Sequence, residues 1–372
     1  MQSLDPFHDI RPYQDEEVAE VLARLTRCDE FAALIAGFEF PRLARYLGPL
    51  MRALVKRQLH RRFDPIRSVR DFQLQVADIM ARILDGSSAG VTSSGLDKLD
   101  PNKAYLFVSN HRDIALDPAL VNWVRYQAGM DTVRIGIGDN LLKRPYATDL
   151  MRLNKSFIVK RSAKGVRELA AALGQLSAYI DHSLQEGQSV WIAQREGRAK
   201  DGLDLTEPAL LKMLFLAHRK QRSFSEMVDR LAIVPVTVSY EIDPCDKLKA
   251  RELATLASTG CYEKGELEDL KAIGLGLTGQ KGRIHVAFGE PIQGEGITDP
   301  DQLAAELDRQ IQGNYHLFPS NLAAAGVSDE AAPWLAERVR DLPAKEAALL
   351  KAAYANPVLS AEKLKAEPAE RA

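Results

Sequence analysis

Between residues 91 and 288, short apolar runs rich in β-formers alternate with stretches of helical periodicity, which leaves few architectures open. The strand candidates are residues 91–93, 105–109, 133–138, 156–159, 189–193, 232–239 and 283–288. Helices are predicted at 118–128, about 145–152, 164–186, 208–219 and 300–313. Such βα alternation favours an α/β sheet with helices packed against it, because each element must bury its apolar side on another layer.

The flanks read differently. Residues 1–13 form a Pro-containing arm, and apolar residues then recur at helical spacing over 16–38, 41–62 and 68–84. The expected organisation is a helical N-terminal subdomain over 1–88 and an α/β domain over 89–325. That domain carries a helical insertion at 244–282 whose end, 274–282, is loop-like. An Ala- and charge-rich tail follows at 326–372, frayed after Asn356-Pro357.

With 372 residues, 46% of them hydrophobic, the chain can bury a large core. Its formal charge of −2 carries no global nucleic-acid signature, so nucleic acid is not an expected partner. Charge is concentrated locally. Residues 42–71 hold nine Arg/Lys against Asp64 and Asp71, and residues 143–167 hold eight against Asp149. Cys28, Cys245 and Cys261 lack metal-ligand spacing, and the chain opens without an apolar leader, so reduced thiols in a cytoplasmic setting are expected. No run approaches the roughly eighteen apolar residues of a membrane-spanning helix, so any membrane contact is expected to be peripheral.

Chemistry is placed where strands end. The run Tyr105–Val108 leads into Ser109-Asn110-His111-Arg112-Asp113-Ile114-Ala115-Leu116-Asp117-Pro118. A His and two carboxylates thus follow a strand's carboxyl end, the usual ligand position of an open α/β sheet. His is the common general base near neutral pH, and a carboxylate can fix its tautomer. The bland alternative makes Asp117 a helix N-cap before Pro118, and Asp113 an earlier cap or a solvated acid. Neither acid shares a helical face with His111, so a dyad requires His111 to lie in the turn before the helix.

Three further stretches have site character. Phe157-Ile158-Val159 runs into the paired cations Lys160-Arg161, suited to a phosphate or to a solvated strand end. Val190-Trp191-Ile192 runs into Glu196-Gly197-Arg198, a charged glycine turn of a common kind. Pro235, inside Ile233–Ser239, predicts an edge, a bulge or a site wall in place of a central ladder position. Gly136-Ile137-Gly138 lacks the third glycine of a dinucleotide fingerprint, and no Gly-x-Ser-x-Gly elbow is present.

In this order the four stretches resemble the glycerolipid acyltransferase family, the glycerol-3-phosphate and 1-acylglycerol-3-phosphate acyltransferases. The matching residues are Asn110-His111 with Asp117, Phe157-Ile158-Val159-Lys160-Arg161, Glu196-Gly197-Arg198 and Val234-Pro235-Val236. Leu96-Asp97-Lys98-Leu99-Asp100-Pro101 resembles the family's lead-in, and the likeness spans roughly residues 95–295. Two departures stand out. Five residues, where the family has four, separate His111 from Asp117, and Glu196-Gly197-Arg198 is one residue shorter than Glu-Gly-x-Arg.

The resemblance implies an α/β fold with a mixed sheet flanked by helices. It also implies an O-acyltransferase of phospholipid biosynthesis, without covalent enzyme intermediate, metal or redox cofactor. His111 and Asp117 would be catalytic, with Lys160, Arg161, Glu196, Gly197 and Arg198 binding substrate. The expected partners are acyl-CoA or acyl carrier protein as donor, glycerol-3-phosphate or a lysophospholipid as acceptor, and the cytoplasmic face of a membrane. The basic helix at 41–62 would either meet that membrane or pack on the α/β core with a solvated basic face. The alternatives are an acyltransferase for a non-phosphate lysolipid, an inactive lipid-binding protein of the same fold, and a thioester hydrolase. Close approach of His111 to Asp117 favours an enzyme over the inactive binding protein.

Overall fold

The computed structural model describes residues 5–265 and 267–366; the rest of the expected N-terminal arm and C-terminal tail lies outside the described residues. All seven predicted strands form: β1 (Val91–Ser94), β2 (Leu106–Ser109), β3 (Arg134–Gly138), β4 (Ser156–Val159), β5 (Val190–Ala193), β6 (Ile233–Tyr240) and β7 (Ile284–Phe288). The chain divides into two compact units, residues 1–79 with 134–172, and residues 80–133 with 173–372. Residues 134–172, expected within the α/β domain, therefore group with the N-terminal helices.

The first unit packs helices Asp15–Arg27, Asp29–Glu39, Gly48–Phe63 and Pro145–Leu153 around Val18, Leu22, Leu25, Phe31, Val55 and Leu153, beside the parallel pair β3–β4. The helix expected over 16–38 breaks at Cys28. That residue is extended (φ −69°, ψ 116°) and ends one helix while its Sγ accepts the Phe31 N–H of the next. Apolar periodicity continues through the break, which hides it from the sequence. The helix expected over 41–62 breaks at Leu47 (φ −121°, ψ 35°), where Pro49 in the next first turn starts a fresh helix.

The second unit holds a mixed sheet in the order β1-β7-β6-β2-β5, flanked by helices that include Leu116–Gln127, Asp246–Thr259, Pro300–Gly313 and Ala344–Ala366. β2 lies parallel to both β5 and β6, while β6 and β7 are antiparallel. Every residue of β2 and β6 is buried, as expected for strands covered on both faces.

Pro235 occupies a central strand, contrary to the expectation of an edge, bulge or wall. It pairs with Val108 of β2, and the β6–β7 ladder begins only at Val236–Phe288. Its missing N–H therefore falls at the end of that ladder, while its carbonyl still accepts the Gly289 N–H at 2.8 Å. Two more readings change. The helix Glu268–Thr278 runs over residues 274–278 of the end of the 244–282 insertion expected to be loop-like, and only 279–282 are loop. The helix Ala344–Ala366 runs through Asn356-Pro357 without fraying there, with Tyr354, Pro357 and Val358 buried. Pro357 cannot donate to the carbonyl four residues back. That carbonyl, on Ala353, packs on Gly202, where an added Cβ would lie 2.1 Å from the oxygen. Among the described residues no helix is long and apolar enough to cross a membrane.

Candidate active site

β2 delivers the chain into a loop that ends where the helix Leu116–Gln127 begins. Asp113 caps that helix: its Oδ1 accepts the N–H groups of Ala115 at 2.9 Å and Leu116 at 2.8 Å. Asp117, at the second helical position, is thereby released for another role. Its Oδ2 reaches back to the N–H groups of Arg112 (2.6 Å) and Asp113 (2.8 Å) and lies 2.9 Å from His111 Nδ1. The side chain of Asp117 is 0% exposed and that of His111 is 15% exposed. An ionised carboxylate only accepts, so Nδ1 carries the proton. Nε2 is left as the basic nitrogen.

The extra residue between His111 and Asp117 thus leaves the pair in contact. Five intervening residues are accommodated because His111 lies in the loop and is not bound to helical spacing. Of the two acids, Asp117 meets the histidine and Asp113 caps the helix. Burial, then the neighbouring Asp117 charge, holds the Asp113 carboxyl above its ordinary range despite its two N–H donors.

The loop is braced on both sides. Asn110, fully buried, donates to the Val238 carbonyl (3.1 Å) and accepts the Val238 N–H (2.8 Å), tying the loop to β6. Arg112 points inward and makes a two-point pair with Asp204 at 3.0 and 2.7 Å, and it also donates to the Gly202 carbonyl. Burial opposes its charge, but Asp204 more than offsets this and keeps the guanidinium protonated. Lys249 donates to the Arg112 carbonyl at 2.6 Å and pairs with Asp243. The His111 ring meets buried Trp191 edge-on, with centroids 5.9 Å apart. Tyr240, the last residue of β6, donates its hydroxyl to Asp117 Oδ1 at 2.8 Å.

The other predicted residues fall in two places. Glu196 and Gly197 are exposed and Arg198 is half-buried on the turn after β5, where Gly197 takes φ +75°. The next residue, Ala199, donates its N–H to the His111 carbonyl at 2.7 Å, so this turn is anchored beside the dyad. Lys160 and Arg161 follow β4 in the first unit. There Lys160 pairs with Asp9, and the Arg161 N–H donates to Asp139 at 3.2 Å.

Sequence reasoning missed Asp204, Tyr240 and Trp191. Asp204 and Tyr240 lie about ninety and about one hundred and twenty residues beyond the groups they bond. Only the position of Tyr240 at the end of an apolar run, and of Trp191 inside one, gave a hint. The thiol of Cys245 is no nucleophile at neutral pH, since burial and then Asp243 push it up to about 12.

Residues 90–239 match the family model described as Acyltransferase. No curated protein matches the chain. Among solved structures, one similar chain is the crystal structure of the 1-acyl-sn-glycerophosphate (LPA) acyltransferase PlsC from Thermotoga maritima. Its TM-score is 0.40 at 13% identity, over 76% of this chain and 95% of that one. The His111–Asp117 block and the three later blocks, at 157–161, 196–198 and 234–236, all fall in order within the segment that is similar to the acyltransferase family model.

Proposed function

We propose that this protein transfers a fatty acyl group from acyl-CoA or acyl carrier protein to the hydroxyl of glycerol-3-phosphate or a lysophospholipid. The observation that carries the reading is the 2.9 Å contact between His111 Nδ1 and the buried Asp117 carboxylate. It favours an enzyme over an inactive lipid-binding protein of the same fold.

In this mechanism His111 Nε2 takes the proton of the acceptor hydroxyl as its oxygen attacks the thioester carbonyl carbon. The imidazolium that forms is stabilised by Asp117. Collapse of the tetrahedral intermediate breaks the carbon–sulfur bond, and the imidazolium returns the proton to the departing thiolate. No step calls on a metal or a redox group. Glu196 and Arg198 are assigned to the acceptor's glycerol hydroxyl and phosphate. Gly197 lets the turn backbone approach the acceptor.

The acceptor is membrane-derived in the lysophospholipid case, and the first unit offers a matching surface. The helix Gly48–Phe63 buries Met51, Val55 and Leu59 yet exposes Leu50 and Leu54. Leu43, Tyr46 and Leu47 continue the exposed apolar series, with Arg42, Arg45, Arg57 and Arg61 exposed along it. Apolar residues flanked by arginines suit the cytoplasmic face of an anionic bilayer. Flotation with anionic liposomes is expected to weaken in Leu47→Ser/Leu50→Ser/Leu54→Ser; unchanged flotation would remove the membrane contact from the reading.

The activity is tested with acyl-CoA and acyl carrier protein donors against glycerol-3-phosphate, lysophosphatidic acid and other lysolipids. Turnover of one acceptor, abolished in folded His111→Ala, is expected. Substantial turnover by that variant would refute the mechanism, and silence across the panel with both donors would refute the reading.

A further inference from the structure

The four donors to Asp117 are unevenly shared between its oxygens. Three converge on Oδ2, from His111 Nδ1, the Arg112 N–H and the Asp113 N–H. Oδ1 has the Tyr240 hydroxyl, at 2.8 Å. This oxygen is buried, and a buried carboxylate oxygen left without a donor is costly. We propose that Tyr240 is a positioning residue for the dyad: its hydroxyl holds Oδ1 so that Oδ2 stays aimed at His111 Nδ1.

Three features make the phenol suited to this. It stays protonated and therefore a donor, because burial and then the Asp117 and Asp113 charges disfavour its ionisation. It stands on the fully buried strand β6, where Tyr240 pairs with Ile284 of β7, so its position is set by the sheet. It also lines, as Asp117 does not, a cavity bounded by Arg112, Asp243, Lys249, Tyr315 and Tyr354. Without the hydroxyl, Oδ1 must turn toward the backbone donors or take water from that side. Either change weakens the pull on His111. The charged groups facing this arrangement are Asp113 on the loop, Arg112 with Asp204, and Asp243 with Lys249 behind Tyr240.

A tyrosine that only fills the core would act through its ring, which Tyr240→Phe preserves. The inference rests on His111 being the base, so the test pairs an activity readout with one that needs no activity. Wild type, Tyr240→Phe, Asp117→Asn and the double variant are prepared with ¹⁵N-labelled histidine. The His111 Nδ1 shift is read through the carbon-bound ring protons and assigned by its loss in His111→Gln. Tyr240→Phe is expected to move that shift. It should also lower kcat about tenfold, the effect of one hydrogen bond to a charged group, with KM within about twofold. In the Asp117→Asn background the added Phe should change kcat by less than about twofold, because its route of action is gone.

An Nδ1 shift identical in wild type and Tyr240→Phe overturns the proposal, as does an equal loss of kcat in both backgrounds. If no acceptor turns over in the wild type, the acyl-transfer reading fails, and the Nδ1 shift alone decides whether Tyr240 positions the pair.

Discussion

Replacing Asp117 by Asn tests the dyad with little disturbance of shape. Two backbone N–H groups, at 2.6 and 2.8 Å, and His111 Nδ1 all point at Oδ2, so the amide oxygen must take that place. The amide nitrogen then faces the Tyr240 hydroxyl, which can turn to accept. Packing and most hydrogen bonds survive, and the negative charge beside the imidazolium is what disappears. Opposite unit charges about 4 Å apart attract by about 4 kcal/mol at an effective dielectric near 20. His111 retains some solvent contact, so half to all of that figure is the usable range. A loss of about 2–4 kcal/mol in transition-state stabilisation corresponds to roughly a 30- to 1,000-fold fall in kcat. Thiol release from the donor, followed as an initial rate with the acceptor identified by the panel, measures it. A folded Asp117→Asn enzyme with kcat within about threefold of wild type would refute the assignment of Asp117.

Three further outcomes follow from the same geometry. Asp113→Asn keeps the capping oxygen and should leave kcat near wild type while changing how stability depends on pH. Because the folded Asp113 carboxyl binds its proton more tightly than the unfolded one, stability falls as pH rises from about 4 toward its raised value. The Asn variant should lose that part of the fall in urea titrations. Gly202→Ala meets both φ +82° and the Ala353 carbonyl, 2.1 Å from the added Cβ, and should destabilise by about 3 kcal/mol or more in urea unfolding. A loss under about 1 kcal/mol would mean that the 201–204 loop moves freely from the C-terminal helix. Lys281 is buried, donating to Ser87 Oγ (2.6 Å), the Gly279 carbonyl (2.8 Å) and the Leu277 carbonyl (3.1 Å), and burial draws it down to about 8. Between that value and its ordinary 10.5 the unfolded chain binds more protons, so wild-type stability should rise with pH across this window. Lys281→Met should lack the rise.

The strands were legible because each is a short apolar run closed by polar or glycine residues, and a fully buried strand needs no other mark. Helix ends were less so. Cys28 is extended between two helices whose apolar stripes stay in phase, and no Gly or Pro announces it. The tail misread has the opposite cause. Pro357 looked like a stop, but the Ala353 carbonyl it leaves unpaired packs against Gly202, and Asn356 donates to the Asp201 carbonyl at 2.7 Å. Those contacts come from residues about 150 positions earlier, and a local pattern cannot contain them.

The site shows the same boundary between local and distant information. The resemblance already paired His111 with Asp117, but the residues alone left Asp113 open, and the local geometry shows why it is not the partner. A helix that begins at Leu116 spends Asp113 on the N–H groups of Ala115 and Leu116, and only Asp117 remains to bond His111. The added residue in this block is therefore absorbed by the loop. The loop has its own anchors, since Asn110 is tied to β6 and Arg112 to Asp204. Neither anchor depends on the number of residues that follow before the helix. A spacing rule taken from sequence alone treats the block as one rigid piece. Here it is two pieces, a loop fixed by the sheet and a helix fixed by its cap, and the His111–Asp117 contact is made where they meet.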